Sequence, residues 1–145
     1  MKINQLSVFL ENKPGQLSEP CRVLANAGVN ILTLSLADTD QFGIMRLIIR
    51  DWQKAKDVLS KAGCVVKVTE VVAIEVEDHP GGLADVLEVL EGGKVNIEYM
   101  YAFTFRREDK AVLVFRFDDP DAAVKLLQSK RISVIDHAEL FDRAE

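Results

Sequence analysis

Leu10-Glu11-Asn12-Lys13-Pro14-Gly15-Gln16-Leu17 returns as Val76-Glu77-Asp78-His79-Pro80-Gly81-Gly82-Leu83, each residue 66 positions further on. At the same offset Val29-Asn30-Ile31 returns as Val95-Asn96-Ile97, so no gap separates the two matches. Beyond them a two-residue insertion moves the offset to 68, where Asp51, Ala55 and Leu59 meet Asp119, Ala123 and Leu127. Chance supplies an isolated Pro-Gly pair. It rarely supplies an ordered set, and the chain is therefore read as a duplication.

Each copy has the same succession of elements. Residues 3–10 and 71–77 are short β-branched runs that stop at a Pro-Gly turn, which predicts strands. Leu83, Val86, Leu87 and Leu90 then fall on one helical face that Gly92-Gly93 ends; Leu17, Cys21 and Leu24 keep the stripe in the first copy, up to Gly28. Pro20 would break a helix interior, but a helix capped at Ser18 places it in the tolerant first turn. Strands are expected over 30–37 and 43–50, joined at Asp38-Thr39-Asp40, and over 95–105 and 110–117, joined at 106–109. Second helices carry Ala55, Val58, Leu59 and Ala62, or Ala123, Leu126 and Leu127, with Asp51, Asp119 and Asp121 at their heads. Closing strands fall near 64–69 and 132–137.

The order βαββαβ, twice, implies an α+β chain of two ferredoxin-like units, 1–69 and 70–145. Each unit should place both helices on one face of an antiparallel sheet, and the two sheets are expected side by side. A single residue between the strands that end and begin the copies argues against a flexible linker.

Composition narrows the function. The chain has 145 residues, 48% of them hydrophobic, a formal net charge of -5 and a pI near 5.1. Nucleic-acid binding favours clustered Lys and Arg, and the one basic cluster, Arg106, Arg107 and Lys110, is interrupted by Glu108 and Asp109 as in a solvated hairpin tip. No apolar run approaches a membrane span and no secretory leader is visible, so a cytoplasmic protein is expected. Cys21 and Cys64 sit among apolar residues and read as inert thiols. His79 and His137 lack partners at catalytic spacing, and no metal, nucleophile-elbow or Walker pattern occurs, so neither an enzyme nor a cofactor or metal is expected.

The repeated residues point to a ligand. A strand, a Pro-Gly loop and a helix head in succession offer the N–H groups of Gly15, Gln16 and Leu17 to a carboxylate or phosphate. Asn12 can both donate and accept, and so serve an ammonium and a carboxylate. Asn30 and Asn96 begin the second strand of each copy, where local turn chemistry is the competing explanation.

Asn12-Lys13-Pro14-Gly15-Gln16-Leu17 followed by Gly28-Val29-Asn30-Ile31 resembles the ACT domain, the amino-acid-sensing module of amino-acid metabolic enzymes and of stand-alone regulators. The resemblance covers nearly the whole chain in two copies. It implies a free L-amino acid bound between paired units, by the Pro-Gly loop of one and the second-strand region of its neighbour. One site would then use Leu10, Glu11, Asn12, Lys13, Pro14, Gly15, Gln16 and Leu17 with Asn96 and Ile97. The other would use Val76, Asp78, His79, Pro80, Gly81, Gly82 and Leu83 with Asn30 and Ile31. Asp78 replaces an asparagine, and Gly82 makes the second loop more permissive, so unequal sites are expected, the Asn12 loop binding better.

The resemblance also implies a metabolic enzyme as partner and a homodimer as assembly. An RNA-recognition module shares the strand order, and Lys110–Phe117 superficially fits its third strand, but the glycine and stacking aromatics are missing. A purely structural pairing module is the remaining alternative.

Overall fold

The computed structural model describes residues 1–107 and 109–144, without the side chains of 105–107 and 144. The strands are β1 (Ile3–Glu11), β2 (Thr33–Asp38), β3 (Phe42–Ile48), β4 (Val65–Glu77), β5 (Ile97–Arg107), β6 (Lys110–Phe117) and β7 (Val134–Ile135). The helices are α1 (Ser18–Asn26), α2 (Trp52–Lys61), α3 (Gly82–Gly92), α4 (Pro120–Ser129) and α5 (His137–Ala144). Two compact units result, Asn4–Thr69 and Glu70–Glu145 with Met1–Ile3.

The first unit orders its strands β2-β3-β1-β4, and the second β5-β6-β4-β7. Strand β4 serves both: no Pro or Gly interrupts residues 65–77, so the break expected near residue 70 does not form. Registers repeat with the sequence. Leu6 faces Leu47 and Val8 faces Met45 in one unit; Val72 faces Phe115 and Ile74 faces Leu113 in the other. In the second strands Leu36 faces Met45 and Ala102 faces Leu113. The offset is therefore still 66 at Ala102 and already 68 at Ala111, which puts the insertion in the β5–β6 hairpin, where the register shifts between Ala102 and Arg106. The solvated tip expected at Arg106, Arg107 and Glu108 lies outside the described side chains.

The cores repeat too. Leu6, Val8 and Leu10 alternate inward on β1 to meet Leu24 of α1 and Ala55 and Leu59 of α2. Their equivalents Val72, Ile74 and Val76 meet Leu90 of α3 and Ala123 and Leu127 of α4. Both helices of a unit thus cover one face of its sheet. Each fully buried leucine contributes about 1.5–3 kcal/mol. Leu17 and Leu83, expected on the apolar stripes, are instead 45% and 38% exposed. Ala62 is also exposed, because it forms the C-cap of α2.

Helix ends follow local chemistry. Asp51 and Asp119 cap α2 and α4, accepting from the N–H of Lys54 (3.3 Å) and Ala122 (3.1 Å). Helix α1 starts one residue earlier than expected, with Leu17 at the N-cap, and Pro20 remains in the first turn. At its far end the N–H of Gly28 donates to Ala25 and that of Val29 to Leu24, a Schellman closure with Gly28 at φ 71°. The second copy closes α3 in the same way from Lys94 and Val95, with Lys94 at φ 57°. The αL residue is thus Lys94, not Gly92 or Gly93; a Cβ on Gly93 would lie 2.2 Å from Leu126 Cδ2 and would require that side chain to shift.

Helix α5 was not expected. Asp136 accepts from the N–H of Glu139 (2.8 Å), which caps a helix at the end of the strand expected near 132–137, and β7 is only two residues long. Leu140 and Phe141 are buried, and Arg143 pairs with Glu75 and Glu139. Glu75 alternates with the core residues Ile74 and Val76, so α5 meets the sheet face opposite α3 and α4. Among the described residues no helix is long and apolar enough to cross a membrane.

Candidate functional site

Pro14-Gly15 and Pro80-Gly81 are built alike. The N–H of Gln16 donates to the Lys13 carbonyl (3.3 Å), and that of Gly82 to the His79 carbonyl (3.0 Å). Proline second and a positive-φ glycine third, Gly15 at 89° and Gly81 at 91°, make each a type II turn. One residue on, the N–H of Glu19 donates to Gly15 (3.2 Å) and that of Asp85 to Gly81 (2.9 Å), which starts the helices. The Gln16 N–H closes a turn and is not free for a ligand, contrary to the sequence reading. Helix-head donors such as that of Leu17 keep the orientation that favours an anion.

A second bond pins each loop to the neighbouring hairpin. The Asn12 N–H donates to Gln41 O and the Asp78 N–H to Asp109 O, at 2.8 and 2.7 Å. Asn12 Nδ2 also reaches the carbonyls of Thr39 and Asp40, each at 3.4 Å. This amide therefore holds the loop against the β2–β3 turn while its carbonyl oxygen keeps accepting capacity. Asn96 is tied through its backbone to the residue after β6: its N–H donates to Asp118 Oδ1 and its carbonyl accepts from the Asp118 N–H, both at 3.2 Å. Asn30 is exposed and precedes β2 by three residues.

Beneath each turn the chain leaves a cleft, about 410 Å³ in the first unit and about 340 Å³ in the second. The walls are the end of the central strand, the helix head and the turn after the unit's second helix. Leu10, Glu11 and Gln16 line the first; Val76, His79 and Gly82 line the second. Leu17, Asn30 and Ile31 stand off the first cleft, as Leu83, Asn96 and Ile97 do off the second.

The two linings have diverged. Phe9, Phe42, Ala62 and Gly63 of the first become Glu75, Lys110, Lys130 and Arg131 of the second. Gln16 becomes Gly82, and the replacement is steric: a Cβ there would lie 2.0 Å from the Glu77 carbonyl oxygen. The second loop is drawn tightly onto its strand, not made more permissive. Sequence reasoning missed the turn after the second helix, although the repeat offset of 68 already set Gly63 against Arg131.

Electrostatics differ accordingly. Burial opposes ionisation of Glu75, but the hydrogen bond and charge of Arg143, helped by Lys110 at 3.5 Å, outweigh it and hold the carboxyl below its usual range. His79 Nδ1 lies 3.0 Å from the Pro80 carbonyl; that bond, with Glu77 and Asp85 nearby, outweighs desolvation and raises its pKa. In the first cleft burial pushes the Cys64 thiol up, and Glu19 adds to it. Cys21 and Cys64 are both free thiols. Among the described residues no three His, Cys, Asp or Glu side chains are grouped to hold a metal ion.

Comparison with known proteins gives this geometry a setting. The family described as the ACT domain pair matches residues 1–144. The crystal structure of protein BT0572 from Bacteroides thetaiotaomicron is 38% identical, with 97% of this chain and 96% of that one covered and a TM-score of 0.90. The ligand-free regulatory subunit of aspartate kinase from Thermus thermophilus shares the fold at 15% identity, 87% and 91% coverage and a TM-score of 0.61. That from Thermus flavus does so at 13% identity, 87% and 90% coverage and a TM-score of 0.60. No protein of curated function matches the chain in sequence.

Proposed function

This chain belongs to the ACT domain pair family, and from that premise we propose that it is a stand-alone regulator that binds a free L-amino acid and performs no catalysis. The observation that carries the reading is the Pro-Gly turn, rebuilt bond for bond in both copies beside a helix head. The fold shared with regulatory subunits of aspartate kinase supports it.

The ligand's carboxylate meets the loop and helix-head donors, and its ammonium meets the Asn12 carbonyl oxygen and backbone carbonyls. Leu10, Glu11, Asn12, Lys13, Pro14, Gly15, Gln16 and Leu17 act with Asn96 and Ile97 of a neighbouring unit. Val76, Asp78, His79, Pro80, Gly81, Gly82 and Leu83 act with Asn30 and Ile31. The neighbour belongs to the same chain or to a second copy.

A homodimer is part of the proposal. Strand β2 ends its sheet order and exposes Leu34 and Leu36, 48% and 46%, which suits pairing with another edge. A metabolic enzyme reads the bound state, and that requires the amino acid to bind two states unequally. Two free thiols suit the cytoplasm.

Thermal unfolding of the full chain against each of the twenty amino acids tests the reading. At about a hundred times its dissociation constant, the right ligand adds about 2.7 kcal/mol and raises the midpoint by several degrees. Substituting Asn12→Ala or Asn96→Ala should weaken that same response. A midpoint indifferent to all twenty removes the reading's main support.

A further inference from the structure

The cleft beneath Pro80-Gly81 holds charges that its counterpart lacks. Lys110, Lys130 and Arg131 stand where the first copy has Phe42, Ala62 and Gly63. Three independent positions on two segments have thus become cationic around one cavity. One of the new charges is also conformationally awkward. Gly63 has φ 90° and Arg131 keeps that left-handed backbone at φ 60°, which a side chain disfavours.

Not all of these cations are neutralised within the unit. Glu75 is paired with Arg143 and Lys110, and Lys110 also lies 3.8 Å from Glu77. Lys130 and Arg131, adjacent at the mouth, make no ion pair among the described residues. Glu77 and Asp85 also line the cleft, and Val76, Val86, Val89 and Ile132 contribute apolar wall. A cavity of about 340 Å³ with apolar walls and a few charged groups has the size and character of a small-metabolite site.

We propose that the second cleft is a carboxylate-binding site contained in a single unit, in which Lys130 and Arg131 grip the carboxylate of a small metabolite. The first cleft, lined by Phe9, Phe42, Ala62 and Gly63, has no such grip. Where the metabolite is an amino acid, Glu77 and Asp85 take its ammonium; a dicarboxylate without an amine uses the cations alone. The site shares Val76, His79 and Gly82 with the amino-acid reading above, but it uses no residue of another unit and does not involve Asn12, Asn30 or Asn96.

The test is calorimetric titration of the full chain with L-glutamate and, separately, with glutarate, the same skeleton without the amine. The wild type should bind at least one of them, more weakly as salt rises. Lys130→Ala and Arg131→Gly should each weaken binding about tenfold, as expected for loss of a charge-assisted hydrogen bond. Arg131→Gly restores the residue of the first copy, so its thermal midpoint should rise while binding falls, which a merely structural role would not give. Lys125→Ala, which removes an exposed cation of α4 outside both clefts, should leave this binding unchanged.

Glutamate binding alone identifies an amino-acid ligand, and binding of both identifies a general carboxylate site. Binding of neither probe, or binding unaffected by Lys130→Ala and Arg131→Gly, overturns the proposal. Amino-acid binding that depends on Asn12 or Asn96 but not on Arg131 overturns it while leaving the regulatory reading intact.

Discussion

Gly63 and Arg131 are the same position in two copies of one fold, both left-handed, at φ 90° and 60°. Each sits where a helix ends and the chain turns back: the N–H of Cys64 donates to Leu59 and that of Ile132 to Leu127, both at 3.0 Å. Lys94 repeats the relationship with Gly28 at the end of the other helix. The second unit therefore carries side chains at two backbone positions where the first carries glycine.

Lys94→Gly and Arg131→Gly should each stabilise the protein by about 0.5–1 kcal/mol, the relief of a left-handed side chain less glycine's extra unfolded-state freedom. Denaturant midpoints at an unchanged slope check this. A loss of stability in both variants would mean that these side chains hold the helix ends by contacts stronger than the strain.

Gly82→Ala should be far more damaging than its small size suggests, because the added Cβ meets the Glu77 carbonyl oxygen at 2.0 Å. Strand or turn must move, at a cost of about 1–3 kcal/mol. Gly81→Ala, one residue earlier, meets no atom within 4 Å and suffers only its φ of 91°, about 1–2 kcal/mol. Thermal unfolding of the two variants separates collision from backbone strain.

Removing Arg143 should free α5. Arg143→Ala leaves a largely buried Glu75 without its main partner, and about 1–3 kcal/mol should be lost. Because the folded pKa of Glu75 is depressed, the pair's contribution is present above the unfolded carboxyl pKa, near 4.5, and fades as pH falls through the lower folded value. The difference between wild type and Arg143→Ala should therefore shrink below about pH 4.5. Amide exchange across α5 should rise in the variant at neutral pH.

His79 should titrate above 6.5 in a proton NMR experiment, since its bond to the Pro80 carbonyl, aided by Glu77 and Asp85, favours the charged ring. A folded pKa above the unfolded one means that protonation stabilises the turn. The contribution is complete below about pH 6.5 and is lost as pH rises through the folded value. In His79→Ala the stability difference between pH 5.5 and 8 should become smaller. A midpoint at or below 6.5 contradicts the assignment.

Much of the fold was legible because the duplication supplied two readings of each element. Core positions such as Leu24 with Leu90 and Leu59 with Leu127 followed from periodicity and offset, and the caps Asp51 and Asp119 from their place before an apolar stripe. Helix α5 escaped because the first copy has no counterpart to it, and because its decisive contact, Arg143 with Glu75, spans 68 residues. The Pro-Gly loops were located correctly, but the sequence could not tell that Gln16 N–H closes a turn or that Asn12 Nδ2 faces Thr39 and Asp40. The clefts were invisible for a related reason: the turns at 62–65 and 130–133 reach them only through tertiary packing.

The central claim, that this ACT domain pair senses a free amino acid, is met most directly by calorimetric titration of the full chain with each of the twenty L-amino acids at millimolar concentration. The account predicts a saturable heat for at least one of them, weakened by Asn12→Ala or Asn96→Ala. Heats of dilution alone for all twenty would contradict it.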